Sequence, residues 1–155
     1  MKNFLLFIYV SLFAVACGSN DAVQPEPEED TVALFSWEAL LNDSTGKMEM
    51  KKIEPGGPDT LDVPSMIAYL NIRNPNVQLK WVKTSGDTLY VSIPEATYLT
   101  QQMGSTGPTL FFAEAVYNLT DIPGIRFVSF DFEEGDHASP GVLSREGYPS
   151  ASNEL

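Results

Sequence analysis

The segment at residues 113–132, AEAVYNLTDIPGIRFVSFDF, constrains the fold most strongly, because a helical apolar pattern changes there into a strand pattern within a few positions. The run 110–119 would be apolar on more than one side of a helix, which predicts a largely buried helix. Pro123 stops a helix and Gly124 permits a turn that bulkier residues disfavour, so Ile125 should enter a sheet in fixed register. The segment therefore predicts a helix connected by a tight turn to a strand.

The same segment offers packing and no obvious chemistry. Asn118 and Thr120 can tie the end of the helix through their side chains. Val128, Phe130 and Phe132 alternate with polar residues and predict the last strand of the domain. We interpret the whole segment as structural.

Upstream residues predict two hairpins and a helix. Strand patterns at 31–38 and 48–53 flank one polar turn, and alternating apolar residues at 77–81 and 89–93 flank another. Between the hairpins, Asp62 can cap a helix whose apolar residues recur at i, i+3, i+4 and i+7.

The order hairpin, helix, hairpin, helix, strand predicts an α+β fold, in which two helices pack on one face of a mixed or antiparallel sheet. The strand beginning at Thr31 is the candidate for an unpaired edge, which would be a docking place for a partner. The predicted core includes Leu79, Val91, Leu110, Val116, Leu119, Val128 and Phe130.

The N-terminal residues predict export and lipidation. A basic start precedes the uncharged apolar run 4–16, which is too short to span a bilayer as a helix. The run ends at Ala14-Val15-Ala16 before Cys17, the only cysteine, and resembles a bacterial lipoprotein signal with alanine at a position where leucine is usual. Acyl chains on Cys17 would anchor the mature protein to a membrane without spanning it.

The predicted organisation is a signal peptide at 1–16, a lipidated acidic tether at 17–30, one domain at 31–149 and a flexible tail at 150–155. The tether contains prolines and acids without a hydrophobic cluster, which is typical of disordered linkers. Such acidic runs resemble surface-export signals of some Gram-negative lipoproteins, and a periplasmic spacer is the alternative. The expected location is the cell envelope, on either side of the outer membrane.

The formal net charge of the whole chain, −12 at pH 7, limits its partners. An acidic protein repels nucleic acid and anionic lipid headgroups, so we expect no nucleic-acid partner and no membrane contact other than the lipid anchor.

Two stretches carry a family resemblance: GDTLYVSIPEATYL at 86–99 and GSTGPTLFFAEAVYNLTDIPGIRFVSFDFEEG at 104–135. They resemble the GerMN domain, named after a spore-germination protein and found in envelope lipoproteins. DVPSMIAYLNIRNP at 62–75 is similar to an earlier helix of that family, with Arg73-Asn74 where glycine is usual. The resemblance covers most of residues 31–135. It implies scaffolding or association with cell-envelope machinery.

Residues 133–137, EEGDH, hold the only histidine and three acids at the predicted turn after the last strand. A carboxylate–histidine pair can act as a general acid–base unit, but no G-x-S-x-G nucleophile motif accompanies it. Carboxylates can also bind Ca²⁺, although the spacing of a calcium loop is missing and the question stays open here. We predict no enzyme, no cofactor and no metal site, and interpret Glu133, Glu134 and Asp136 as an acidic interaction surface.

Three functions follow from these patterns, and an envelope adaptor that binds a protein or polymer leads. A glycan or peptidoglycan binding module would need exposed aromatic residues, and an envelope hydrolase would need polar residues converging in a pocket. Tyr90 is the aromatic residue expected to be exposed, because it is out of phase with Leu89 and Val91. Self-association is a further interpretation that the sequence leaves open.

Overall fold

The computed structural model describes residues 34–148. The predicted signal peptide, the lipidation at Cys17, the tether and the tail at 150–155 lie outside the described residues.

Two antiparallel strands, β1 (Ser36–Leu41) and β2 (Met48–Ile53), form the first hairpin. The side chain of Asn42 accepts the backbone N–H groups of Ser44 and Thr45 at 2.9 and 3.0 Å, which fixes the turn. The predicted hairpin is confirmed, but β1 begins at Ser36 and runs three residues beyond the predicted end at Glu38.

Helix α1 (Val63–Arg73) begins where Asp62 accepts the backbone N–H of Ser65 at 2.8 Å. A proline in the first turn lacks only a donor that the helix leaves unpaired there. The capped helix is confirmed, and three residues of the predicted apolar stripe, Met66, Ile67 and Leu70, are buried, while the fourth, Val63, is half-buried.

Four strands form the main sheet in the order β3 (Lys80–Ser85), β4 (Thr88–Ser92), β5 (Phe127–Asp131) and β6 (Gly141–Leu143). β4 and β5 are parallel, while the other two pairs are antiparallel. The prediction that β5 is the last strand was wrong, because the short β6 follows it and pairs with it.

Helix α2 (Gly107–Leu119) connects the two parallel strands and follows a single π-helical turn at Tyr98–Gln102. Ala113 and Tyr117 of α2 pack against Ala39 and Met50 of the hairpin. On its other side, α2 joins α1 and the inner face of the main sheet in one apolar core. The structure is an α+β fold, and α2 lies between the hairpin and the four-stranded sheet.

Six of the seven predicted core residues are buried, and Leu110 is the exception. Leu110 is half-buried because it borders the smaller cluster under the hairpin. Ile125 is buried but precedes β5, which begins at Phe127. Gly124 has a φ of +87°, so the turn there uses the backbone freedom that the sequence predicted.

Trp81 corrects the predicted pattern of the second hairpin. Alternation with Val77 and Leu79 placed Trp81 on the core face, and those two residues are buried. Trp81 is 50% exposed, because β3 is an outer strand of the sheet and all six of its residues are exposed.

Candidate interaction surface

Both helices pack on one face of the four-stranded sheet, and the opposite, outer face carries a groove. Leu89 and Val91 of β4 enter the core with both helices, so Tyr90 between them points to the opposite face. Ser129 of β5 lies beside Tyr90 in the register, and Val142 of β6 lies beside Ser129. These side chains therefore form one row across the outer face, which we call the open face.

A shallow groove of about 460 Å³ crosses this open face. Val82 and Val142 are 59% and 61% exposed and lie on β3 and β6, the two outer strands of the sheet, with the groove between them. Side chains that line the groove are Val82, Tyr90, Ser129, Asp131, Pro140 and Val142. The surface combines apolar side chains with a carboxylate and a hydroxyl.

A β-bulge at Val82 determines which way the two lysines of β3 point. Lys80 pairs with Ser92 and Lys83 pairs with Tyr90, because the register shifts between Trp81 and Lys83. Residues three apart would lie on opposite faces of a regular strand, but the extra residue returns Lys83 to the face of Lys80. The Nζ atom of Lys83 lies 4.6 Å from the centroid of the Tyr90 ring, in agreement with this placement.

Two asparagines bind strand backbone with their side-chain amides. Asn118 of α2 accepts the N–H of Trp37 at 2.9 Å and donates to the Trp37 carbonyl at 2.8 Å. Asn71 of α1 accepts the N–H of Leu79 at 2.8 Å and donates to its carbonyl at 3.0 Å. Each amide replaces the peptide group of a neighbouring strand. Asn118 was predicted to tie the helix end, and it also joins α2 to β1.

Arg145 belongs to a polar seam between α2 and the hairpin. Its guanidinium donates to Thr120 Oγ1 at 2.7 Å and to the Tyr117 carbonyl at 2.6 Å, and forms an ion pair with Asp121. The indole N–H of Trp37 donates to the same carboxyl group at 2.6 Å. The guanidinium places a positive charge at the C-terminus of α2, where a cation is favourable. Because Trp37 binds the same carboxyl group, the seam also holds the hairpin in place, which is a structural role.

The polar seam and both asparagine bridges were not predicted from the sequence. Asn118 carries the one usable signal, because a polar residue inside an apolar helix must find hydrogen-bond partners when it is buried. The partners of Asn71 and Arg145 could not be read from spacing, since they depend on how the elements dock.

The residues of the acidic turn do not line the groove, although Asp131 before the turn and Pro140 after it do. Glu133, Glu134 and Asp136 are exposed, and none of them lines the groove beside Tyr90. Glu134 accepts the hydroxyl of Ser139 at 2.7 Å, and the backbone N–H of His137 donates to the Thr100 carbonyl at 3.0 Å. The structure therefore separates the predicted surface residues into two places.

Two further findings on the described residues bear on metal binding and on membrane spans. Within residues 34–148, no three His, Cys, Asp or Glu side chains are grouped so that they could hold a metal ion. No helix of this range has the length and hydropathy that crossing a bilayer requires.

Comparison with known proteins gives no relative: no family model, curated protein or solved structure matches the chain.

Proposed function

We propose that this chain is a lipid-anchored lipoprotein of the cell envelope whose GerMN-like domain binds another envelope protein without catalysing a reaction. The observation that carries the proposal is the uncovered open face of the main sheet around Tyr90. The anchor is inferred from the apolar run before Cys17, and the family from the stretches at 86–99 and 104–135.

The composition of the open face suits a protein partner. Val82 and Val142 offer apolar area, which stabilises a complex by about 25 cal/mol for each Å² removed from water. Tyr90 offers a rigid ring with a polar tip, and this residue type is enriched in protein interfaces. Asp131 supplies a polar rim that fixes orientation.

A glycan is the second candidate, because Tyr90 and two hydrogen-bonding side chains line the same groove. Sugar rings stack on the face of an aromatic ring. Lys83 already lies over the ring of Tyr90, so a sugar would have to displace it or use the opposite face. This contact favours the protein partner.

A pair of glutamate variants tests the open face. We expect Val142→Glu to reduce capture of a partner by the full-length, lipidated protein at least tenfold, because a charge would enter the apolar contact. Ile72→Glu is the matched control, since Ile72 of α1 is 81% exposed and lies away from the open face. Cross-linking in membranes followed by quantification of the captured protein measures both. Equal capture by the two variants would show that the open face binds no protein. Binding of purified peptidoglycan that Val142→Glu abolishes would replace the protein partner with a glycan.

Lipidation has its own test. Changing Cys17 to Ser should abolish palmitate labelling and release the protein from membranes, because no other cysteine can carry the thioether. Undiminished labelling of the variant would refute the anchor.

A further inference from the structure

We propose that the partner contributes an extended acidic segment, which adds as a new strand to the free edge of β3 and places carboxylates beside Lys80 and Lys83. This inference rests on the proposed function and specifies the chemistry of the partner.

The edge of β3 provides main-chain groups for such a strand. Leu79 directs its N–H and carbonyl away from β4, since both bond to Asn71. Alternate residues of a strand point these groups to the same edge, so the N–H and carbonyl of Trp81 also face away from β4. Beyond the bulge, Ser85 and Thr88 close a two-residue turn, which leaves the main-chain N–H and carbonyl of Thr84 facing the free edge. Among residues 34–148, no strand pairs with β3 on that side.

The two lysines of β3 supply charge complementarity. Neither Lys80 nor Lys83 forms an ion pair with any described residue, although residues 34–148 contain fifteen acids and eight Lys and Arg. Their partners in the register, Ser92 and Tyr90, are two residues apart. Carboxylates at i and i+2 of an incoming strand repeat at roughly 7 Å, which is the same interval. A segment with acids at alternate positions therefore matches the lysine spacing.

The same lysines disfavour a second copy of this chain at the edge. Antiparallel pairing of two β3 strands would bring lysines of like charge together across the new ladder, which is destabilising. An incoming strand with acidic side chains would instead be attracted by the same lysines. Val82 lines the groove next to this edge, so an apolar side chain on the open-face side of the incoming strand could pack there.

The probe for this inference is a peptide of about ten residues, a usual upper strand length, in which Glu alternates with Thr and Val. Its control has Lys in place of every Glu. We expect the full-length protein, purified in a neutral detergent, to bind the Glu peptide and not the Lys peptide. Titration monitored by tryptophan fluorescence and by calorimetry gives the dissociation constants.

Charge reversal at two places separates local from general electrostatics. Lys80→Glu with Lys83→Glu should weaken binding of the Glu peptide at least tenfold, since two attractive contacts become repulsive. Lys47→Glu with Lys51→Glu changes the net charge equally on the hairpin, where neither lysine forms an ion pair with a residue of the described range, and should change binding less than about twofold. Equal losses in the two double variants would overturn the assignment of the site.

A second pair of variants tests the main-chain ladder. Thr84→Pro removes the N–H at the free edge, and proline is tolerated on edge strands. Thr84→Ala removes the same side chain and retains the N–H. Peptide affinity should fall about tenfold in the proline variant and stay unchanged in the alanine variant, with the fold of each checked by circular dichroism. Equal affinity of both would show that no strand is added.

The remaining arms separate this inference from the proposed function. Vesicles of phosphatidylethanolamine and phosphatidylglycerol that bind the protein through Lys80 and Lys83, without binding of the Glu peptide, would overturn the inference in favour of a membrane surface. If the Glu peptide fails while Val142→Glu still abolishes protein capture, the strand-addition inference is wrong and the proposed function stands.

Discussion

The outer edges of β1 and β3 are both met by an asparagine, but they differ in what lies beside them. At β1, Asn118 is fully buried and binds both main-chain groups of Trp37, while α1 reaches the same strand through a hydrogen bond from Tyr69 to Ser36. At β3, Asn71 binds only Leu79, and the six residues that follow are exposed. A side-chain amide thus occupies the edge of β1 at Trp37, whereas the edge of β3 beyond Leu79 has no such partner among the described residues.

Because of this difference, we assign partner docking to a different strand edge from the one that the sequence suggested. The strand beginning near Thr31 was the candidate, yet Asn118 occupies the edge of β1 at Trp37. We therefore place strand addition at β3.

Removing the Asn118 amide should have the largest effect on this comparison. Asn118→Leu should lower the free energy of unfolding by about 3 kcal/mol, because the N–H and carbonyl of Trp37 lose buried partners. Urea unfolding of the full-length chain, followed by circular dichroism, measures the loss.

Asn118→Asp is the sharper control for the closed edge. A carboxylate still accepts the N–H of Trp37, but it repels the carbonyls of Trp37 and Glu114 that the amide now serves. We expect a loss close to that of the Leu variant. A neutral Asp variant would show that the edge of β1 does not depend on the amide.

Asn71 should matter less for stability, because it is only half-buried. Asn71→Leu should lower the free energy of unfolding by roughly 1–2 kcal/mol, since water can replace part of the bonding to Leu79. The same urea experiment compares it with Asn118→Leu. Equal losses at the two sites would remove the contrast between a closed and an open edge.

The polar seam that holds the hairpin predicts an effect of similar size to that of Asn71. Arg145→Gln should cost about 1–2 kcal/mol, because the guanidinium makes two hydrogen bonds and an ion pair at the end of α2. Arg126→Gln is the matched control, since its contact with Asp87 is 3.8 Å long and exposed, and should cost less than about 0.5 kcal/mol. Similar costs would show that the seam does not secure β1.

Asp62, which caps the helix that carries Asn71, should give the smallest effect. The backbone N–H of Ser65 and then the hydroxyl of Thr60 lower the pKa of Asp62 below its ordinary value of 3.8. Because the pKa is lower in the folded chain than in the unfolded chain, the carboxylate stabilises the fold at pH values above the unfolded pKa. This contribution is lost as the pH falls through the folded pKa. Asp62→Ala should therefore be less stable than the native chain near neutral pH, and the difference should shrink below about pH 4. A difference that stays constant with pH would contradict a cap made by the carboxylate.

The sequence predicted the elements whose pattern is local, and missed those that depend on docking. Hydrophobic alternation located β4 and β5, and Asp62 located the start of α1. β6 has only three residues, too few to show a period, and it becomes a strand because β5 lies beside it. Alternation also cannot tell an inner strand from an outer one, and so the exposure of Trp81 was missed.

The site itself was predicted only in part. Tyr90 faces outward as its phase indicated, but it is half-buried and not exposed as expected, and the lysines share that face only because of the bulge at Val82. A bulge is an irregularity of register, which the local pattern at Lys80 and Lys83 does not reveal.

Hydrogen exchange at the backbone amides of Trp37 and Trp81 tests the contrast between the two edges most directly. In the free full-length protein, Trp37 should be protected through its bond to Asn118, while Trp81 should exchange rapidly at the open edge. Saturation with the Glu peptide should slow exchange at Trp81 and leave Trp37 unchanged. Strong protection of Trp81 in the free protein, or no change on saturation with the bound peptide, would contradict an open edge that accepts a strand.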